Sequence, residues 1–121
     1  METDKKEDQH HSVDCMSSSA RGVRDALDVL NGKWKLRILM SLYNGSMRFR
    51  QIAKHVDGIT DRMLSKELKE LEVNRLVIRD VSPTFPPTVE YSLSKHGTSL
   101  EKVITELSVW GIAHRKEIIG R

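Results

Sequence analysis

The sequence has little of several features that define other protein classes. Its 121 residues include one cysteine, and no apolar run approaches the ~20 residues that a membrane-spanning helix needs. One cysteine excludes an internal disulfide and a zinc site built from several cysteines. The N-terminus is highly charged and precedes no apolar segment, so we expect no signal peptide and a cytoplasmic protein that does not enter a membrane.

Catalytic patterns are missing as well. The sequence offers no Ser/His/Asp arrangement, no pair of catalytic carboxylates and no glycine-rich phosphate loop. We therefore expect a protein that is not an enzyme and that uses no cofactor and no metal.

The composition is that of one folded domain. Hydrophobic residues make up 38% and charged residues 31% of the chain, and this length fits a single domain of roughly 100–200 residues. Residues 1–20 carry few apolar side chains and cannot offset the entropy of ordering, so we expect a flexible tail there. Residues 21–121 then form the domain.

The charge is unevenly distributed. The net charge is +3, but residues 1–21 hold three basic and five acidic side chains, which leaves +5 on the remainder. A basic body favours an anionic partner such as nucleic acid, and an ordinary solvated surface is the alternative.

Periodicity predicts a mainly α protein with a small β-hairpin. Apolar spacing and capping residues predict helices at 22–30, 33–43, 49–56, 60–74 and 95–118, and strands at 76–81 and 88–93. A short helix, a turn containing Gly58 and an amphipathic helix form a helix-turn-helix, and the hairpin directly after it makes this a winged helix-turn-helix.

The helix at 60–74 has two distinct faces. On a wheel of 100° per residue, Leu64, Leu68 and Leu71 lie on one side. The opposite side of this helix, the fourth predicted along the chain and therefore called α4, carries a basic and polar stripe. This α4 stripe consists of Arg62, Ser65, Lys66 and Lys69. A solvated helix face is the alternative interpretation of this pattern.

This pattern predicts contacts with double-stranded DNA. Arg, Lys and Ser in the first turns of a recognition helix can reach base edges in the major groove, whereas Lys69, one turn further, is expected to meet phosphate. The full set of predicted DNA-binding residues is Arg48, Arg50, Thr60, Arg62, Ser65, Lys66, Lys69, Arg79 and Thr84.

The last predicted helix suggests a homodimer. Its apolar residues follow a spacing of 3.6 residues, and the first helix has a matching stripe. The predicted dimer interface comprises Val23, Leu27, Leu100, Val103, Ile104, Leu107 and Trp110. A monomer whose last helix buries a single face is the alternative.

Four motifs stand in one register over roughly residues 22–115. They are LNGKW at 30–34, MRFRQI at 47–52, ITDRMLSKELKELE at 59–72 and PTVEYSLSKHG at 87–97. Together they resemble the HxlR-type bacterial winged helix-turn-helix regulators. The resemblance implies a homodimeric transcriptional regulator, with its first and last helices at the dimer interface and a DNA-reading helix that begins near Thr60. A winged helix that binds proteins instead of DNA is the alternative, and an unidentified small-molecule effector is a further hypothesis.

The single cysteine departs from that resemblance. Many family members have a cysteine just ahead of the first helix, and in some of them it senses oxidants or electrophiles. The corresponding position here is Arg21, and Cys15 lies six residues earlier. A reactive thiol needs a helix N-terminus or nearby cations to lower its pKa. Two interpretations of Cys15 remain open: a redox site that forms a disulfide between subunits, or a residue without a sensing role.

Overall fold

The computed structural model describes residues 17–120, which fall into two compact units that divide between Asn31 and Gly32. The described part of the first unit is one helix, α1, over residues 17–29. Residues 17–20, which the sequence analysis placed in the tail, are therefore helical. The rest of the predicted tail, residues 1–16, lies outside the described residues, and so does Cys15.

The second unit is mainly helical with one two-stranded hairpin, so the predicted fold class is confirmed. Its elements are α2 (Lys35–Ser41), α3 (Phe49–His55), α4 (Asp61–Val73), β1 (Val77–Ser82), β2 (Thr88–Leu93), α5 (Lys95–Thr98) and α6 (Glu101–Ile119).

Helix α2 lies at the centre of this unit, as its apolar composition predicts, and packs against α3, α4 and α6. Its side chains Ile38, Leu39 and Leu42 form the middle of the core. The other core residues come from the surrounding elements and are Ile52, Val56, Leu64, Leu68, Leu71, Leu76, Val77 and Ile104. Burying such aliphatic side chains contributes roughly 1.5–3 kcal/mol each, so this core is the main source of stability for the unit.

Helix α4 ends in a Schellman motif that leads the chain into the hairpin. The N–H of Leu76 donates to the carbonyl of Leu71, and the N–H of Arg75 donates to the carbonyl of Glu72. Arg75 has φ of 61°, in the left-handed region that glycine normally occupies here. The buried pair of Leu71 and Leu76 supplies the apolar contact that accompanies this motif.

The hairpin is antiparallel, and its pairing runs from Val77 opposite Leu93 to Ser82 opposite Thr88. Met47, just ahead of α3, adds an isolated bridge to Tyr91 through hydrogen bonds of 2.9 and 2.8 Å. This bridge ties the segment before α3 to the outer edge of the hairpin, a link that the sequence pattern did not predict.

The single long helix predicted over 95–118 is divided into two. Helix α5 ends at Thr98, and the turn at Ser99 and Leu100 separates it from α6. The hydroxyls of Thr98 and Ser99 donate back to carbonyls of the preceding turn, an arrangement that bends helices. Gly97 packs so closely on the backbone of Leu76 that the first turn is fixed against the hairpin.

Gly97→Ala is expected to destabilise the protein. A Cβ at this position would overlap the carbonyl oxygen of Leu76, which already accepts from the N–H of Ser94 at 3.0 Å and cannot shift freely. We expect a loss of about 1–3 kcal/mol in the free energy of unfolding, measured by urea denaturation at fixed protein concentration. Gly111→Ala in α6 is the control, because a Cβ there meets nothing within 4 Å. Equal effects of the two substitutions would contradict this account.

Candidate nucleic-acid interface

The turn between α3 and α4 is held by side chains from the start of α2. The guanidinium of Arg37 donates to the carbonyl of Asp57 at 3.0 Å and also lies 5.1 Å from the ring centroid of Trp34. Trp34 in turn packs against Gly58, whose φ of 86° requires the left-handed conformation. The turn is therefore anchored to the core helix, which fixes where α4 begins.

Thr60 caps α4 as the sequence predicts. Its hydroxyl oxygen accepts from the N–H of Met63 at 3.2 Å, and Asp61 supplies a favourable negative charge in the first helical turn. The three predicted leucines, Leu64, Leu68 and Leu71, are buried. Consequently the α4 stripe faces outwards, and all four of its side chains are exposed.

A buried ion-pair cluster sets the rotation of α4 on α2. The ammonium of Lys35 lies 2.7 Å from Oε2 of Glu67 and 2.5 Å from Oε2 of Glu70. The side chains of Lys35 and Glu67 are 3% and 8% exposed, whereas that of Glu70 is 42% exposed.

The cluster keeps Lys35 charged although it is buried. Burial lowers the pKa of Lys35, but the hydrogen bonds and charge attraction from Glu67 and Glu70 outweigh it, so the pKa is raised. The hydrogen bond from Lys35 lowers the pKa of Glu70, against the opposing effect of desolvation. In the sequence, Lys35 stands as a polar interruption of the apolar helix predicted at 33–43, and nothing in that pattern assigns it a partner. A lysine within a run of core residues indicates a buried ion pair, since buried lysines are nearly always paired.

The α4 stripe continues onto the hairpin. Ser65 and Lys69 of α4 line one groove with Arg79 of β1, and the groove has a volume of about 370 Å³. Glu72 and Tyr91 complete its lining. The structure thus brings three of the predicted DNA-binding residues, from two separate elements, onto one surface.

The predicted DNA-binding residues of α3 are also exposed. Arg50 forms an ion pair of 3.0 Å with Asp61, and the two side chains are 77% and 58% exposed. An ion pair this exposed contributes little to stability, so Arg50 can exchange Asp61 for another anion at small cost. The N–H of Arg48 donates to Oε1 of Gln51 at 2.9 Å, which caps α3 and leaves the guanidinium at the surface.

Thr84 lies at the tip of the hairpin, away from the groove that Arg79 lines. The Thr84 hydroxyl donates to the carbonyl of Pro86 at 3.1 Å, so its proton is engaged in a hydrogen bond within the tip. Its position on the hairpin matches the sequence analysis, but its local contact indicates a role in shaping the loop.

The predicted dimer residues divide into three groups by exposure. Ile104 is only 4% exposed and belongs to the core of the second unit, so it is not a surface residue as the stripe suggested, because α6 turns this side towards α2. Leu100 is half-buried. The remaining residues of the set are exposed, and they are Val23, Leu27, Val103, Leu107 and Trp110. Trp110 stacks on His114 with ring centroids 4.8 Å apart.

Comparison with known proteins identifies the family. The family described as HxlR-like helix-turn-helix matches residues 29–118. The chain belongs to the HxlR family of helix-turn-helix regulators. The uncharacterized HTH-type regulator YtcD of Bacillus subtilis is 39% identical over 98 residues, or 81% of this chain and 78% of YtcD. YdeP of the same organism is 39% identical over 108 residues, or 88% of this chain and 84% of YdeP.

Solved structures of HxlR-like regulators share the same fold. The redox regulator HypR in its reduced form matches with a TM-score of 0.77 and 36% identity, over 83% of this chain and 99% of HypR. The structure of YtcD matches with a TM-score of 0.72 and 39% identity, over 82% of this chain and 97% of that one.

These relatives support a DNA-binding transcriptional regulator and not the alternative of a protein-binding winged helix without DNA affinity. Among residues 17–120, no helix combines the length and apolarity needed to cross a membrane. Within the same range, no three His, Cys, Asp or Glu side chains converge on one position where a metal ion could bind.

Lys35→Met is expected to destabilise this regulator by about 3–5 kcal/mol, because Glu67 would keep a buried charge without its partner. The double variant with Glu67→Leu should recover most of that loss, since Glu70 can be hydrated. The measurement is chemical denaturation, with Lys54→Met on the exposed face of α3 as the control.

The pH dependence of stability gives a second readout for the same variant. Because the folded-state pKa of Lys35 is raised above 10.5, its stabilisation is complete below that pH and is lost as the pH rises through the folded-state value. The alkaline loss of stability should be smaller in Lys35→Met. An unchanged alkaline profile, or a loss equal to that of Lys54→Met, would show that the cluster does not hold α4.

Proposed function

We propose that this HxlR-family regulator acts in the cytoplasm as a homodimer that reads an inverted repeat in double-stranded DNA. Helix α4 lies in the major groove, and the β1–β2 hairpin is the wing that contacts the neighbouring DNA. The observation that carries this proposal is the exposed α4 stripe, which a capped and anchored helix presents beside Arg79.

The chemistry of the α4 stripe matches what a base-reading helix needs. Arg62 and Lys66 can donate to the O6 and N7 acceptors of guanine, and the Ser65 hydroxyl can bond to several base edges. These residues lie in the first two turns after the Thr60 cap, the part of a recognition helix that enters the groove. Their rigid support on α2 reduces the ordering cost of binding.

The residues around this stripe are suited to phosphate contacts. Lys69 and Arg79 share one groove at the junction of helix and wing, and Arg50 carries a weak ion pair that phosphate can replace. Such contacts set the position and register of the protein and supply most of the salt-dependent affinity, but they carry no sequence information.

Dimerisation is supported by the apolar surface of α6. Seven large apolar side chains of this helix are exposed in the described chain: Val103, Leu107, Val109, Trp110, Ile112, Ile118 and Ile119. Apolar patches of this kind mark interaction surfaces. A two-fold dimer would present two α4 helices to half-sites about one DNA turn apart.

Arg62→Ala and Lys69→Ala are expected to affect DNA binding differently. Loss of a base contact at Arg62 should cost about 1–3 kcal/mol and relax the preference at one base pair, while loss of a phosphate contact at Lys69 should weaken binding to all sequences and reduce the salt slope by about 1. The measurement is selection from random duplex DNA, followed by titration of the enriched site at several salt concentrations. Identical behaviour of the two variants on specific and random DNA would refute the assigned roles.

Leu107→Glu is expected to shift the protein towards monomers, because it places a charge in the exposed apolar face of α6. Light scattering after gel filtration should then give a mass near 13.9 kDa instead of twice that value. Thr105→Glu, at an exposed polar position of the same helix, is the control. If Leu107→Glu leaves the dimer intact while Val103→Glu and Trp110→Glu do the same, this face is not the interface.

A further inference from the structure

The tip of the hairpin carries an aromatic ring that no residue of the described range 17–120 covers. Residues 83–87 read Pro-Thr-Phe-Pro-Pro and contain no charged side chain. Phe85 at the apex is 100% exposed. A phenylalanine this exposed leaves its whole apolar surface in water, and that surface is available to a partner.

The loop around Phe85 is held in one shape. The Thr84 hydroxyl donates to the carbonyl of Pro86 at 3.1 Å and closes the loop across Phe85. Proline at positions 83, 86 and 87 fixes φ at each of those residues. A rigid loop loses little entropy when its side chain docks, which is typical of a loop that serves binding.

The length of the hairpin beyond the α4 stripe determines which groove of the DNA its tip can reach. Arg79 lines the groove beside Lys69, and Phe85 is the sixth residue after Arg79 along the wing. At about 3.3 Å per residue of extended chain, the tip can lie up to roughly 20 Å from that groove. With α4 in the major groove, the adjacent minor groove is half a helical turn away, or roughly 17 Å. The tip can therefore reach it.

The uncharged and apolar composition of the tip favours one mode of contact with the minor groove. Without Arg or Lys, the tip cannot exploit the negative potential of the minor groove in the way that basic arms do. Apolar side chains such as Phe act instead as wedges that enter between base pairs and bend the duplex.

We propose that Phe85 is a minor-groove wedge that partly unstacks one base step flanking each half-site. This inference rests on the proposed function, since it requires α4 in the major groove and the hairpin as the wing. It assigns the wing an indirect readout of sequence, because pyrimidine–purine steps such as TA and CA unstack at the lowest cost. The regulator would therefore prefer these steps at positions where no side chain forms a base-specific hydrogen bond.

The test compares Phe85→Ala, Phe85→Leu and Phe85→Trp in the full chain. The probes are duplexes that the wild-type protein enriches from a random pool, with 2-aminopurine placed in turn at each step outside the half-sites. Wild-type protein should raise the fluorescence at one step per half-site. Phe85→Ala should abolish that rise and weaken binding about tenfold, the size of effect typical for a lost aromatic stacking contact. Phe85→Leu should be intermediate, and Phe85→Trp should retain the signal.

The controls separate failure of the wedge from failure of the proposed function. All Phe85 variants should keep the wild-type unfolding midpoint, because the ring is fully exposed among residues 17–120. Lys69→Ala should weaken binding but keep the fluorescence rise at saturating protein. If Arg62→Ala and Lys69→Ala behave as proposed while Phe85→Ala binds and unstacks like wild type, the wedge is refuted and the proposed function stands.

Two further outcomes would also overturn the wedge. A change in molecular mass on Phe85→Ala without any change in DNA binding would show that the ring docks on a second copy of the chain. If the wild-type protein enriches no duplex at all, both the wedge and the proposed function fail.

Discussion

The ion pair between Lys35 and Glu67 is the contact on which the binding surface depends. The leucines of α4 alone would permit small rotations of the helix, since apolar packing is non-directional. The ammonium of Lys35, held between two carboxylates, restricts these rotations of α4, because a buried charge that loses its partner costs several kcal/mol. The ion pair therefore fixes the rotation of α4 on α2, whereas the leucines supply the buried apolar surface of the helix. With Glu67 and Glu70 turned towards α2, the α4 stripe on the opposite side of the helix must face outwards.

Both ends of α4 are fixed by independent contacts. At its start, Arg37 and Trp34 hold the preceding turn, and Thr60 caps the first helical turn. At its end, the Schellman motif at Arg75 delivers the chain directly into β1. The wing is thus a direct continuation of the helix end and is fastened a second time by the Met47–Tyr91 bridge. Sites built on such supported elements keep their geometry better than sites on loops.

Two groups of exposed apolar side chains call for different partners. Helix α6 exposes a long apolar surface next to charged residues such as Lys102 and Glu106, which suits another protein surface. Phe85 is a single ring at the tip of a hairpin whose strand β1 contributes Arg79 to a basic groove, which suits an anionic partner with a narrow cleft. Under the proposed function, α6 serves self-association and the hairpin tip serves contact with DNA.

The sequence by itself determined the order and type of the elements, the leucine face of α4 and the exposed side chains opposite, because helical periodicity and capping are local properties. It also determined the family, through four motifs in one register. Only the tertiary structure decided the roles of Lys35 and Ile104, since pairing with Glu67 and burial against α2 depend on residues distant in sequence. Packing of the hairpin likewise decided two further features. The close approach of Gly97 to Leu76 fixes α5 before the break at Ser99. The position of β1 beside α4 brings Lys69 and Arg79 into one groove.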